Sequence, residues 1–156
     1  MTKSQPYMKG KTNKAIVDAL SAVLADTFML YYKTHAFHWN VVGEHFRSLH
    51  LMFEEQYGEL WQALDVIAER LRGLEGYAPV SLAELKKHAR LQEAGQIPDA
   101  MGMVEQLAAD NADIVATLYE AIARTNDGHD EATKDFLIDR VKSHEKAAWM
   151  LRSFAR

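Results

Sequence analysis

Cysteine is absent from the 156-residue sequence, and its absence excludes several kinds of chemistry. Without a thiol, the chain forms no disulfide, offers no thiolate to a metal and has no cysteine nucleophile. A bound metal would have to be held by nitrogen and oxygen atoms. The length is sufficient for one domain with a substantial core and short for two.

Long apolar runs and an excess of positive charge are also missing. The segment MTKSQPYMKGKTNK at the amino terminus lacks the apolar core of a signal peptide, and no later apolar run approaches the roughly 20 residues of a membrane span. We therefore expect a cytoplasmic protein with no membrane partner. The formal net charge of -4 argues against a wholly basic nucleic-acid surface and leaves room only for a local one.

Proline is scarce, and its positions mark where helices cannot run. Pro6, Pro79 and Pro98 all lie outside the strongly periodic stretches. Within those stretches apolar side chains recur every three or four residues, which predicts four long helices. The four stripes are Ile16, Leu20, Val23, Thr27, Leu30 and Thr34; Phe46, His50, Phe53, Tyr57, Leu60, Leu64, Ile67 and Leu71; Val104, Leu107, Asn111, Ile114, Leu118 and Ala121; and Leu137, Val141, His144, Ala148 and Leu151.

The connections between these helices indicate their arrangement. The first, broken at Gly43, and the third are short, whereas the second is long and contains Ser81 and Glu84, a capping box that predicts a short extra helix. This order predicts an all-α, ferritin-like four-helix bundle with the extra helix in the long crossover between helices 2 and 3. The predicted bundle domain covers residues 14–156, after a flexible lysine-containing tail at residues 1–13.

Glutamate is missing from the position three residues before every histidine. Bundles of this architecture hold paired irons within one chain through Glu-x-x-His motifs on facing helices. The usual centre inside the bundle is therefore not predicted, and a metal site must lie elsewhere.

Candidate metal ligands occur in two pairs on the second helix. His50 and Glu54 are four residues apart, as are Asp65 and Glu69, so each pair stacks on one helical face. Glu54 and Asp65 are separated by about 16 Å of helical rise, whereas metal-ligand bonds are only about 2 Å long. One copy of the helix cannot bring both pairs to one ion.

Two antiparallel copies of the second helix can bring the pairs together. If they cross near Glu59 and Leu60, the pair from one chain faces the other pair from its mate, and an isologous dimer makes two identical sites. The small residues Gly58 and Ala63 would permit close approach. His38, across the Gly43 turn, lies level with the first pair.

The run THAFHWNVVGEHFRSLHLMFEEQY, followed by LDVIAERLRGLEG, resembles the Dps family, the DNA-binding proteins from starved cells. HEKAAWMLRSF near the end is similar to the last helix of that family. The resemblance implies a ferroxidase that forms a hollow shell of about twelve subunits built from two-fold dimers. Such a shell oxidises Fe(II), preferably with hydrogen peroxide rather than dioxygen, and stores the ferric mineral.

The resemblance also implies which residues hold the iron, in a dinuclear or mononuclear site between two subunits. His38, His50 and Glu54 would come from one chain, and Asp65 and Glu69 from its mate. Glu54 stands where many members of the family have aspartate. The longer side chain of glutamate affects how this carboxylate would coordinate iron and whether a second iron would be bound.

Tryptophan residues near this site have two interpretations. The resemblance suggests that Trp39 and Trp149 donate an electron when only one iron is bound, whereas buried aromatic residues more often serve core packing. For His35 and His144, which lie on apolar stripes, we expect hydrogen-bonded core positions.

Acidic residues crowd the start of the last helix. Asp127, Asp130, Glu131, Asp135 and Asp139 would be favoured there by the helix dipole alone. The resemblance implies a second interpretation, a negative iron-uptake pore near a three-fold axis, for which Glu131 and Asp135 match best.

Lysine without any acid characterises the N-terminal segment, at Lys3, Lys9, Lys11 and Lys14. Repeated around a shell, such a tail would bind the DNA backbone without base readout. An alternative function is thus a DNA-compacting, nucleoid-associated shell in which iron oxidation is secondary. A third alternative is a purely structural bundle, against which the ligand spacing argues.

Overall fold

Five helices and no strand make up the part of the chain that the computed structural model describes, which is the backbone of residues 10–156 and the side chains of residues 13–156. The helices are α1 (Gly10–Asn40), α2 (Phe46–Gly73), α3 (Leu82–His88), α4 (Ala100–Gly128) and α5 (Glu131–Phe154). Four long helices with a short one in the middle crossover confirm the predicted all-α, ferritin-like fold.

Helix α1 begins before the domain boundary expected at Lys14. Its first residue is Gly10, and Asn13 is already attached to the bundle, because its Nδ2 donates a 2.7 Å hydrogen bond to the carbonyl oxygen of Leu74 beyond the end of α2. The N-terminal part of the bundle is therefore tied to the far end of α2.

The bundle is assembled around α1, which packs against α2, α3 and α4, while α5 packs against α4. Every member of the stripes predicted on α1, α4 and α5 is buried. On α2, Leu60, Ile67 and Leu71 are buried, whereas Phe46 is 43% exposed and His50 is half-buried. The first turns of α2 thus leave side chains open at one end of the bundle.

Two apolar clusters form the core and are separated along the helices by buried polar residues. One contains Leu20, Ile67 and Leu137, and the other contains Leu30 and Phe53. The polar residues that fall between them are Asp26, Thr27, Thr117 and His144. The second cluster supports the connection between α1 and α2, where the candidate ligands lie.

Turns and caps follow the sequence signals. Gly43 has a φ of 109° between α1 and α2, a conformation that favours glycine. The hydroxyl of Ser81 accepts a 3.2 Å hydrogen bond from the backbone N–H of Glu84, which confirms the predicted start of α3. The short turn brings the end of α1 beside the start of α2.

Length and composition alone would allow part of α1, Asn13–Asn40, to cross a membrane, contrary to the expectation that no apolar run approaches that length. More than half of its most apolar window is buried inside the bundle. The core helix of a bundle satisfies the same criterion, and α1 occupies that position.

Candidate metal site

His38 and His50 contact each other across the α1–α2 turn, and we call this pair the histidine clasp. Their rings stack with centroids 3.7 Å apart and planes 15° apart. Nδ1 of each ring lies 2.8 Å from the backbone carbonyl oxygen of the other residue. A carbonyl oxygen only accepts, so each Nδ1 carries a proton and donates it. In the neutral rings, both Nε2 atoms therefore keep the lone pair that binds a metal.

The local sequence explains why this clasp forms. His38 lies in the last turn of α1, where backbone carbonyls lack a partner within the helix, and the ring of His50 supplies one. His50 lies in the second turn of α2, and the turn at Gly43 sets the two helix ends side by side. The two histidines predicted as ligands are thus adjacent and held in the tautomer suited to metal binding.

The three predicted carboxylate ligands are all on the exposed side of α2. Glu54, Asp65 and Glu69 are exposed, while His38 is only 7% exposed. Among the side chains described, no group of three or more histidine, aspartate or glutamate residues is gathered in metal-binding geometry within one chain. Imidazole nitrogen and carboxylate oxygen nevertheless form a donor set that suits Fe(II). The chain therefore presents parts of a site rather than a complete one.

Near Glu59 and Leu60, where the sequence predicts that two copies of α2 cross, α2 presents some residues to the core and others outward. Leu60 and Ala63 are buried in the core of their own bundle, and Glu59 forms an ion pair with Arg140 of α5. Leu60 and Ala63 are therefore on the inward side of α2, whereas the side chain of Glu59 is 47% exposed. A Cβ added at Gly58 would meet no atom of the described residues within 4 Å, so open space adjoins this residue.

Gly58 shares the outward face with the candidate carboxylates. Glu54 precedes it by four residues, whereas Trp61, Asp65 and Glu69 follow it at helical spacing, and Trp61 is 59% exposed. The point between Gly58 and Trp61 lies midway between Glu54 and Asp65, at the same level of α2 as the crossing predicted from the sequence.

Aromatic side chains surround the histidine clasp. His35 stacks on Tyr57 with ring centroids 3.8 Å apart and lies 4.1 Å from the ring of Trp39. The hydroxyl of Tyr31 lies 3.1 Å from Nδ1 of His35. Tyr57 in turn touches His38, at 5.1 Å between centroids. The expected core role of His35 holds in part, because the residue is half-buried and hydrogen-bonded.

Burial shifts the pKa of two members of this cluster. Desolvation lowers the pKa of His35 below its usual value, and the neighbouring His38 lowers it further. Desolvation raises the pKa of Tyr57, and the carboxylate of Glu54 and the phenol of Tyr31 add to the rise. Glu54 is thus close enough to Tyr57 to act on its charge. The sequence reasoning missed both tyrosines because it treated Tyr57 as core and did not consider Tyr31.

The two tryptophans expected near the site occupy different surroundings. Trp39 is 57% exposed and contacts His35. Trp149 is 61% exposed on α5, so it does not serve core packing within the chain. The ring cluster around the clasp contains Trp39 and Trp61 but not Trp149 among the contacts of the described side chains.

An arginine and a histidine occupy the centre of the bundle. Nη2 of Arg140 lies 3.1 Å from Oε2 of Glu59 and 3.2 Å from Nε2 of His144. Nδ1 of His144 lies 2.9 Å from Oδ1 of Asn111. Burial, reinforced by the charge of Arg140, lowers the pKa of His144 to about 3. His144 is the hydrogen-bonded core residue expected from the sequence, and a guanidinium supplies the positive charge inside the bundle.

The acids at the start of α5 fall into two groups. Glu131, Asp135 and Asp127 are exposed. Asp130 is only 2% exposed: Oδ1 accepts hydrogen bonds from Arg70 Nη2 at 2.8 Å and from the Thr133 backbone N–H at 3.1 Å. Asp130 therefore caps α5 and is not available to line a solvent-filled pore.

The lysines of the tail are described only in part. Lys3, Lys9 and the side chain of Lys11 lie outside the described residues. Lys14 lies in α1, and its ammonium group is 2.5 Å from Oδ2 of Asp18. This lysine belongs to a helix and is paired with an acid one turn away.

Comparisons with known proteins agree with this architecture. Residues 17–156 match the family model of the ferritin-like domain. The chain is 42% identical to a low temperature-induced protein of Nostoc over 90% of its own length and 80% of the relative. It is 36% identical to the DNA protection during starvation protein 2 of Bacillus anthracis, over 91% of this chain and 97% of the relative. The crystal structure of a Dps protein from Bacillus brevis superposes with a TM-score of 0.91 at 35% identity, covering 96% of this chain and 100% of the other.

Proposed function

The chain belongs to the Dps family of ferritin-like proteins, and from that membership we propose that it oxidises Fe(II) with hydrogen peroxide and stores the ferric product in a closed shell. The shell would contain about twelve copies arranged around two-fold dimers. Iron is here the substrate and the cargo. The protein would act inside the cell, as its relatives with the same fold suggest.

The histidine clasp is the observation that carries the proposal. Core histidines that serve packing alone use their ring nitrogens for internal hydrogen bonds, as His144 does with both. Among the hydrogen bonds between described residues, His38 and His50 use Nδ1 in this way, and this tautomer leaves the lone pair of Nε2 for a metal. Two imidazoles prepared in the same tautomer, with Glu54 one turn further on α2, form one half of an iron site.

The other half of the site would come from a second copy of the chain. Asp65 and Glu69 lie on the same exposed face of α2 as Glu54 and too far along the helix to reach the same ion. An antiparallel partner crossing between Gly58 and Trp61 would deliver these two carboxylates to the clasp. Each dimer would then contain two equivalent sites.

Two irons in one site would explain the choice of oxidant. Hydrogen peroxide needs two electrons and two protons to become two molecules of water, and each Fe(II) supplies one electron. When both irons react with the same peroxide, no hydroxyl radical is released. The proposed reaction therefore consumes iron and peroxide together and protects DNA from their combined chemistry.

Iron would reach the shell interior through the acidic corner before α5. Glu131 and Asp135 are exposed, and three copies brought together at a symmetry axis would form a negative pore. Asp127 is also exposed and could extend it. Asp130 is excluded from this role by its capping function.

A DNA-compacting shell is the second candidate function. The relative from Bacillus anthracis is named for DNA protection during starvation. The N-terminal segment of this chain carries Lys3, Lys9 and Lys11 without an acid. Removal of residues 1–9 together with Lys11→Gln, which leaves the start of α1 and the Asn13 contact in place, should abolish a low-salt gel shift. A shift that survives this deletion would place any DNA surface elsewhere.

The proposal is tested by loading the assembled protein with Fe(II) under anaerobic conditions and then adding hydrogen peroxide at half the iron concentration. Rapid oxidation of all the iron without spin-trapped hydroxyl radical is expected, in a particle whose mass corresponds to about twelve 17.7 kDa chains. A stable monomer, or oxidation no faster than in buffer, would contradict it.

A further inference from the structure

Trp61 and Gly58 present a projection and a gap on the outward face of α2. The indole of Trp61 is 59% exposed, and its ring lies against that of Tyr31 on α1, with centroids 5.3 Å apart. Three residues earlier, a Cβ added at Gly58 would meet no atom of the described residues within 4 Å. The two positions lie about 60° apart around the helix, so they share one face.

Among the described residues, neither a close contact nor the backbone conformation accounts for glycine at position 58. Gly58 lies inside α2 and is not one of the residues with positive φ. Glycine inside a helix is less stable than alanine, so its presence there has a cost. Tryptophan, in turn, is enriched at protein interfaces. The pair therefore indicates a contact surface in which the missing side chain makes room for an incoming group.

A second copy of the chain is the partner that fits both features at once. In two antiparallel copies of α2 related by a two-fold axis, residues equally far from the crossing point face each other. Gly58 and Trp61 each lie about 2 Å of helical rise from the point midway between Glu54 and Asp65. Trp61 of each chain then meets Gly58 of the partner subunit, and the contact is continuous with the two half-sites for iron.

We propose that Trp61 packs on Gly58 of the partner subunit, twice in each dimer, and that this contact sets the register of the shared iron site. The inference rests on the proposed function, because the two half-sites meet only in that dimer. Packed helices lie about 8–10 Å apart, a distance at which an indole fits between them only where the facing position has no side chain. Trp61 is thus a positioning residue: a slip of one helical turn, about 5.4 Å, would separate ligands whose bonds to a metal are about 2 Å long.

Charge alone does not select this register. Glu54 of one chain faces Asp65 of the partner subunit, and two carboxylates repel each other until a cation lies between them. In the metal-free dimer an uncharged contact must offset this repulsion. The contact between Trp61 and Gly58 lies nearer to the two-fold axis than these carboxylates do, and it supplies that stabilisation.

The test uses two full-length variants without metal, Gly58→Trp and Trp61→Gly. A dimer of the first opposes two indoles at each contact, and a dimer of the second leaves a gap at each contact. Each variant alone should therefore associate roughly thirtyfold more weakly than the wild type. In a dimer with one chain of each kind, every indole again faces a glycine. An equimolar mixture should recover most of the wild-type association in sedimentation equilibrium.

The composition of the dimers gives a second measurement. Native mass spectrometry of dimers released by dilution should find mixed dimers well above the half expected from random pairing. Trp149→Gly is the matched control, because it removes an indole that is 61% exposed on α5, and its mixture with Gly58→Trp should show no such preference. Mixing changes no sequence, so recovery cannot come from helix propensity. If circular dichroism shows that a single variant does not fold, the chain carrying both substitutions restores the pairing by itself and provides the same test.

Co(II) reports the register without iron oxidation. All five candidate ligands remain in every variant, so a change in Co(II) binding reports the alignment of the half-sites and not the loss of a ligand. Titrations followed by visible absorption should show weak binding by each variant alone and recovered binding in the mixture.

The outcomes separate this inference from the function on which it rests. Random pairing in the mixture, or single variants that associate as tightly as the wild type, would overturn the proposed contact while leaving peroxide-driven oxidation by the wild type in place. Selective pairing of the variants without rapid iron oxidation by the wild type would overturn the proposed function, and with it the iron-positioning role, although the two chains would still meet at this contact.

Discussion

Asp26 on α1 and Thr117 on α4 are joined by a buried hydrogen bond in which the threonine hydroxyl donates to Oδ2 over 2.9 Å. The other oxygen of Asp26 accepts from the backbone N–H groups of Arg90 and Leu91, at 2.7 and 3.0 Å. One fully buried carboxylate thus connects two bundle helices with the long crossover that follows α3.

Asp26→Ala should lower the free energy of unfolding by about 3 kcal/mol, because two buried donors and one partly buried donor lose their acceptor. Urea denaturation at one fixed protein concentration measures the change, since assembly makes stability depend on concentration. Asp18→Ala is a suitable control: this acid on the same helix is 61% exposed and pairs with Lys14 among the described residues, so its loss should cost about 0.5 kcal/mol or less. Equal effects of the two substitutions would show that the buried carboxylate does not fix the crossover.

His144 should make stability depend on pH. Its pKa is about 3 in the folded chain and 6.5 in the reference state, so the unfolded chain binds more protons between these values. The contribution of the neutral ring is complete above pH 6.5 and is lost as the pH falls, by up to about 1.4 kcal/mol per pH unit. This loss of stability levels off near pH 3, the pKa of His144 in the folded chain.

His144→Gln should therefore remove this slope, and unfolding free energies measured at several pH values would reveal it. Near pH 7 the variant should be less stable than the wild type, because the buried partners Asn111 and Arg140 lose their ring nitrogens. The difference should shrink as the pH is lowered. His88→Gln, an exposed substitution at the end of α3, should keep the wild-type slope. A constant difference across the pH range would mean that His144 does not titrate in this way.

The acidic corner before α5 should control the rate of iron uptake. Glu131→Gln combined with Asp135→Asn should slow uptake roughly tenfold at low ionic strength, because focused negative charge raises the local concentration of a cation. Added salt should reduce the difference. Glu105→Gln with Asp113→Asn removes the same charge from exposed positions on α4 and provides the comparison. If the two double variants take up iron equally fast, the acids at α5 serve its helix dipole and no pore.

The helices could be predicted because the sequence of each contains apolar residues at helical spacing. Leu20 and Leu30 on α1, and Leu137 and Leu151 on α5, recur with helical spacing, and all are buried. The short turn at Gly43 also indicated that His38 and the start of α2 would be neighbours. Helical periodicity reports which residues face the core, and it needs no knowledge of distant partners.

The details of the site depend on contacts between segments distant in sequence, which periodicity does not report. The family resemblance predicts Asp130 among the acids of a pore, whereas its buried carboxylate forms an ion pair with Arg70, a residue of α2. Leu60 belongs to the inward stripe of α2, so at this level of the helix the outward face is formed by Gly58 and Trp61. Asp130 and Thr133 have the three-residue spacing of a helix N-cap and its partner. That spacing predicts a capping role for Asp130 in place of the pore role.

The shared site can be tested directly by mixing two inactive variants. One variant lacks His38 and His50, and the other lacks Asp65 and Glu69. Each alone should show no rapid peroxide-driven oxidation, because every site in its dimers has lost one half. Controls are circular dichroism and particle mass, which should show that each variant folds and assembles.

In a mixed dimer, both sets of altered ligands fall in the same site, and the other site is intact. One site combines the altered histidine positions of the first chain with the altered acid positions of the second and is inactive. The other site combines intact histidines with intact acids, so co-assembly of two inactive proteins should restore fast oxidation at a fraction of the sites. A centre contained in one chain could not recover in this way, because neither chain carries a complete ligand set. Folded mixed shells without recovered oxidation would show that the two halves do not meet across the two-fold axis.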